Sequence, residues 1–214
     1  MNQDDVMAMV RTMAEMQITH NVQVHPEWCS QGYEYYRAIW VECAELLDHF
    51  GWKWWKKQIP DLDQVKLEIV DIWHFGLSDL IRADALDESV GVAMFAVEEA
   101  TVNSSNSGDA VQFRAAVEAL AESSLSRQLF QLAVFQRLLE TLPMSFTELF
   151  RLYVGKNVLN HFRQDHGYQT GEYRKLWSGR EDNEHLIEIL EDLDCAADDV
   201  PHALYAQLSE RYGV

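Results

Sequence analysis

Residues 37–50 read Arg37-Ala-Ile-Trp-Val-Glu42-Cys-Ala-Glu45-Leu-Leu-Asp48-His49-Phe50, and residues 65–75 read Val65-Lys-Leu-Glu68-Ile-Val-Asp71-Ile-Trp-His74-Phe75. Each stretch is apolar nearly all round except for one stripe of acids. Residues three apart lie about 60° apart around a helix axis, so Glu42 and Glu45 project from one face, as do Glu68, Asp71 and His74. Acids at such spacing ordinarily mark a solvated face. A solvated face, however, is broad and mixed in sign, whereas these stripes are narrow and bordered by Trp, Ile, Leu and Phe. The pattern therefore predicts two core helices of a bundle, each bringing a pair of carboxylates inward.

The rest of the chain agrees with an all-α fold. Among 214 residues there are 4 prolines and 10 glycines, apolar spacing is mostly three or four, and no run alternates with period two. Helices are expected over about 4–22, 33–51, 63–83, 87–101, 109–122, 125–141, 146–164 and 183–193, with a last short one after Asp198. Pro60 with Asp61 and Pro143 with Ser145 read as helix starts. The run from Asn103 to Gly108 reads as a loop, because its residue types compete with helical hydrogen bonding. The polar and aromatic segment from Gly167 to Gly179 reads as an ordered loop. Residues 1–214 are taken as a single domain, with about 84–144 as a variable helical insertion or dimer-forming region, since unusual polar placements are fewer there.

Composition narrows the function. Hydrophobic content of 48% is enough for a substantial core. A charge of -18, from 35 acidic and 17 basic residues, disfavours nucleic-acid backbone and anionic membranes. The apolar runs are far shorter than the roughly 20 residues of a spanning helix, and Asp4 and Asp5 argue against a signal peptide, so a cytoplasmic protein is expected. Three cysteines without CxxC spacing, Cys29, Cys43 and Cys195, fit a reduced compartment and offer neither a disulfide framework nor a thiolate zinc site.

Four carboxylates gathered inside a bundle repel one another unless cations neutralise them, and oxygen-only ligands select magnesium or manganese. Asp71-x-x-His74 also resembles half of a di-iron carboxylate site, although no second acid-x-x-His is well placed. The one concentration of cations runs from Gly155 to Trp177. There Lys156, Asn160 and Arg163 share a helix face, opposite Val158, Leu159 and Phe162, and Tyr168 and Lys175 follow in the loop. A point charge, an amide and a planar fork are the donors that phosphate oxygens accept. A solvated cationic face is the plain alternative. A polyphosphate bridging metals and these cations accounts for both groups at once.

Glu42-x-x-Glu45 with Glu68-x-x-Asp71, the string Trp40-Val-Glu-Cys-Ala-Glu-Leu-Leu-Asp-His-Phe-Gly-Trp-Lys-Trp54-Trp-Lys, the string Glu68-Ile-Val-Asp-Ile-Trp-His-Phe75, and Gly155-Lys-Asn-Val-Leu-Asn-x-Phe-Arg-x-x-x-Gly-Tyr168 together resemble the dimeric all-α dUTPases. That family lies within the helical nucleoside triphosphate pyrophosphatases. The resemblance implies a homodimer hydrolysing dUTP, and as a candidate dUDP, to dUMP. It implies magnesium, with manganese as substitute, on Glu42, Glu45, Glu68 and Asp71, and phosphate contacts from Lys156, Asn160, Arg163, Tyr168 and Lys175. It also implies Gln17 and Asn21 at the uracil edge, and Trp54, His74 and Phe75 around base and sugar. Glu45 is the expected base. The rivals are a pyrophosphatase for another nucleotide, such as dCTP, and a non-catalytic helical interaction protein.

Overall fold

The computed structural model describes residues 1–103, 109–142, 144–193 and 200–213, without the side chains of residues 102 and 103. The expected loop residues 104–108, Pro143, Cys195 and Asp198 lie outside the described residues. Among the described residues the chain forms nine α-helices and one minimal hairpin. The helices are α1 (Gln3–Val24), α2 (Tyr35–Phe50), α3 (Leu62–Arg82), α4 (Glu88–Asn103), α5 (Ala110–Arg127), α6 (Leu132–Glu140), α7 (Phe146–Asp165), α8 (Asp182–Asp192) and α9 (Val200–Tyr212). The hairpin strands are β1 (Leu176–Trp177) and β2 (Arg180–Glu181). The fold is all-α, as the periodicity predicts.

Local chemistry explains the helix starts. Asn2 accepts from the Asp5 amide at 2.9 Å while the Asp5 carboxylate accepts from the Asn2 amide at 3.0 Å, a reciprocal capping box that opens α1. Asp61 caps α3 through the Gln64 amide, and Ser145 accepts from Glu148 at the start of α7. The hairpin turn is Ser178-Gly179, with φ of 51° and 83°. Positive φ at both central residues suits the right-handed twist of two-residue hairpins.

The largest departure from expectation lies between α5 and α6. Helices are expected over about 109–122 and 125–141, yet α5 continues to Arg127 and α6 begins at Leu132. The hydroxyls of Ser123 and Ser126 donate to carbonyls three residues back, which satisfies them inside the helix. The break is imposed from outside the segment. Asp79 on α3 accepts from the Phe130 amide at 2.7 Å and from Arg82 at 2.5 Å, and Gln128 takes the left-handed conformation at φ 54°.

The chain divides into two compact units, residues 1–150 and 151–214. In the first, α2 packs along α3 and against α5, α1 packs on α3 and α4, and α6 packs on α4 and α5. The described residues of the segment 84–144 fall within this unit. Its centre is aromatic: Trp73 stacks on Phe135 at 5.4 Å between centroids, and Phe130 meets both. In the second unit Phe162 is surrounded by His166, Tyr173, Trp177, Tyr205 and Tyr212. The expected loop from Gly167 to Gly179 supplies two of those rings, which is why it is ordered. No helix among the described residues is long and apolar enough to cross a membrane.

Gly76 is where α3 admits Phe130. A Cβ built there meets Phe130 ring carbons at 2.7 Å, and that ring is buried with its backbone tied to Asp79. Gly→Ala within a helix gains about 1 kcal/mol of propensity, but overpacking a fixed ring costs about 1–3 kcal/mol. Gly76→Ala should therefore lower stability by up to about 2 kcal/mol in chemical denaturation; a stabilised variant would show Phe130 free to yield.

Candidate functional site

α2 buries Ile39, Cys43, Leu46 and Phe50, α3 buries Val65, Ile69 and Ile72, and the two helices pack along each other. Three-residue steps then turn Glu42, Glu68 and Asp71 toward a common point, where each offers a carboxylate oxygen and all three oxygens lie within 4.8 Å of one another. Glu68 is buried, and His49 Nε2 lies 3.5 Å from its Oε1. Burial pushes the Glu42 carboxyl up to about 9, helped by the Asp71 charge, the hydrogen bond to and charge of Glu68, and the charge of Glu45. Such a group holds a proton in place of a missing counter-charge. A divalent cation would supply that charge, and an all-oxygen donor set at this spacing fits a hard ion. Thiolate is not on offer, because burial pushes the adjacent Cys43 thiol up to about 12.

Of the four acids expected to act together, the structure brings together these three. Glu45, one turn along α2, is exposed and outside the 4.8 Å group. The group contains no imidazole. His74 instead has its Nδ1 at 2.7 Å from Gln17 Oε1, so the half-match to a di-iron site lacks its nitrogen ligand.

Gln17, Asn21 and His74 form a second arrangement in the same unit. Gln17 Nε2 donates to Asn21 Oδ1 at 3.0 Å, Asn21 Nδ2 donates to Ser78 Oγ at 2.9 Å, and Ser78 donates to the His74 carbonyl at 3.0 Å. With Gln17 Oε1 as acceptor, His74 Nδ1 carries the proton. All four residues are buried, so the solvated reading of Gln17 and Asn21 does not hold. Ser78 is not among the residues expected from the sequence. Its signal is its place four residues after His74, on the same face of α3.

Phe75 is half-buried with its ring 6.4 Å from Tyr35, whose hydroxyl burial pushes up to about 12. Trp54 stands 90% exposed, edge-on to Trp55, on a loop braced from beneath. Gln58 Oε1 accepts from the amides of Trp52 and Lys53, Asp48 accepts from the Trp52 indole and from Lys53, and Gly51 turns the chain at φ 93°.

In the second unit the cationic helix face is not solvated. Lys156 is 2% exposed and donates to Asn183 Oδ1 at 3.1 Å. Arg163 donates to both carboxylate oxygens of Asp182, at 2.8 and 2.9 Å, and to Asn160 Oδ1 at 3.0 Å. Its guanidinium carbon lies 5.9 Å from the Tyr168 ring centre. Lys156, Asn160, Arg163 and Tyr168 thus form one cluster, while exposed Lys175 pairs with Glu181 at 3.3 Å on the hairpin. Asp182 and Asn183 are absent from the sequence reading, where acids and amides at a helix start look like solvated caps.

A family model described as dUTPase matches residues 9–168 of the chain. No curated protein matches it significantly.

The protonated Glu42 carries a pH signature. Its folded value of about 9 stands against an ordinary 4.5, so between the two the metal-free folded chain keeps a proton that the unfolded chain has released. Stability of the metal-free protein should therefore fall as pH rises through that window. Glu42→Gln, which cannot ionise, removes this component. Urea unfolding in chelator at about pH 6 and about pH 8.5 should show a smaller loss in the variant than in the wild type; equal losses would contradict the buried proton.

Proposed function

Because the chain belongs to the dUTPase family, we propose that it hydrolyses dUTP to dUMP and pyrophosphate with magnesium, as a homodimer. The observation that carries the reading is the carboxylate-only group of Glu42, Glu68 and Asp71, which suits a nucleotide that brings its own cations and suits little else in a chain of net charge -18. A bound divalent ion supplies charge neutralisation and polarises phosphate oxygens. Glu42, Glu68 and Asp71 would hold it. Glu45, exposed one turn from Glu42, completes the ligand set and takes the proton of the attacking water. In the second unit Lys156, Asn160 and Arg163, with Tyr168 and Lys175, donate to phosphate oxygens.

The base falls to the buried amide chain. Gln17 and Asn21 each carry an NH2 with two donor hydrogens and a carbonyl oxygen that can accept twice, and the hydrogen bonds from His74 and to Ser78 fix which way each amide points. An amide held in one orientation distinguishes the uracil edge from cytosine, whose donors and acceptors are exchanged. Phe75 packs against the deoxyribose and leaves no room for a ribose hydroxyl, and Trp54 closes over the base. A dCTP-directed pyrophosphatase remains the rival of the same class.

A parallel assay of dUTP, dCTP, dTTP and UTP, reading pyrophosphate and monophosphate, tests this. With magnesium the preference for dUTP over dCTP should exceed about tenfold, since unpaired buried groups cost about 1–3 kcal/mol each. Chelator should abolish turnover, and Glu45→Gln should lose on the order of 100-fold in kcat while staying folded. Equal hydrolysis of dUTP and dCTP would overturn the uracil assignment and leave the pyrophosphatase reading; no turnover of any triphosphate would overturn both.

A further inference from the structure

Among the described residues of the second unit Asp182 is the most deeply placed charge, 0% exposed as the first residue of α8. An isolated carboxylate there is costly to bury, and it is stabilised by three hydrogen-bond donors. Arg163 Nε donates to its Oδ2 at 2.8 Å and Arg163 Nη2 to its Oδ1 at 2.9 Å, the paired fork geometry of guanidinium on carboxylate. The Tyr173 hydroxyl donates to Oδ2 at 2.8 Å. Burial acts to raise the Asp182 value, but the Arg163 hydrogen bonds and charge outweigh it and hold the carboxyl below its usual range, so it stays ionised. The Asp182 backbone amide donates to the Lys175 carbonyl, which fixes the carboxylate relative to the hairpin.

The consequence falls on Arg163. Two of its three nitrogens are committed to Asp182, and Nη1 is aimed by Asn160 at 3.0 Å. A long side chain with about 2 kcal/mol of rotamer entropy is thereby held in one place before any ligand arrives. A carboxylate this close also offsets the Arg163 charge. The pairing makes no sense as a device for attracting anions in bulk, and good sense as one for presenting N–H groups in a set direction.

We propose that Asp182 is a positioning residue, which orients Arg163 for the phosphates of the nucleotide without touching the nucleotide itself. Tyr173 acts on Asp182 in turn. This rests on the phosphate role of Arg163 given above, and a double-mutant cycle separates the two. The full-length protein, with magnesium and dUTP, is assayed as wild type, Asp182→Asn, Arg163→Ala and the double variant, with thermal unfolding measured on each. Asp182→Asn keeps the shape and removes the charge, and should lower kcat/KM by about 10–100-fold, the range for partners that orient a ligand-binding group. In the Arg163→Ala background the same change should cost less than about twofold, because nothing remains to be positioned. Tyr173→Phe removes one hydrogen bond to Asp182 and should give a loss of several-fold that also vanishes without Arg163; it carries the test if Asp182→Asn does not fold. Equal losses in both backgrounds, with Arg163→Ala itself impaired, would overturn the positioning role alone. A wild-type kcat/KM in Arg163→Ala would overturn the phosphate role of Arg163 and the proposal with it.

Discussion

Carboxylates repel, and packing α2 along α3 brings three of them within 4.8 Å in an apolar seam. The packing of α2 along α3, with Ile39, Leu46 and Ile69 buried, sets the register of the acids. Glu42 answers by keeping a proton at pH values where an ordinary glutamate has lost it. That proton marks where a cation would be most stabilising, because exchanging one for the other removes the repulsion without moving the helices. The rest of the first unit can be read as support for this seam: α1 brings Gln17 and Asn21 against His74 and Ser78, while α5 and α6 close the far side through Asp79 and Phe130.

The second unit solves the opposite problem. In a chain of net charge -18 its cations must be kept in place as well as available. Lys156 and Arg163 are buried on a ring of polar partners, Asn160, Asp182 and Asn183, over an aromatic cluster around Phe162. Each unit therefore offers groups of one sign, held by side chains of the other type: acids within hydrocarbon, cations among amides and one carboxylate.

Much of this was legible in the sequence, and the rest was not for identifiable reasons. Helix existence followed from three- and four-residue apolar spacing, and Asp61 and Ser145 announced the starts of α3 and α7. The acid pairs were visible because they interrupted otherwise apolar helices. What periodicity could not show was which of four acids lie deepest, since Glu42 and Glu45 share a face and differ only by where α3 crosses it. Burial of Gln17, Lys156 and Arg163 was hidden too, because polar residues declare burial only through partners far along the chain. Asp182 is 19 residues from Arg163. The α5–α6 break lies later than the apolar spacing predicts for the same reason: the Phe130 amide there is held by Asp79, far back on α3.

The proposed metal site implies that the Glu42, Glu68 and Asp71 group exchanges a proton for a divalent cation. Titrating metal-free protein with manganese by calorimetry, near neutral pH in two buffers of different ionisation enthalpy, measures that exchange directly. Saturable binding is expected with release of about one proton per ion, both lost in Glu68→Gln, while Glu42→Gln binds more weakly and releases no proton. Binding without proton release in the wild type, or affinity unchanged in Glu68→Gln, would contradict it.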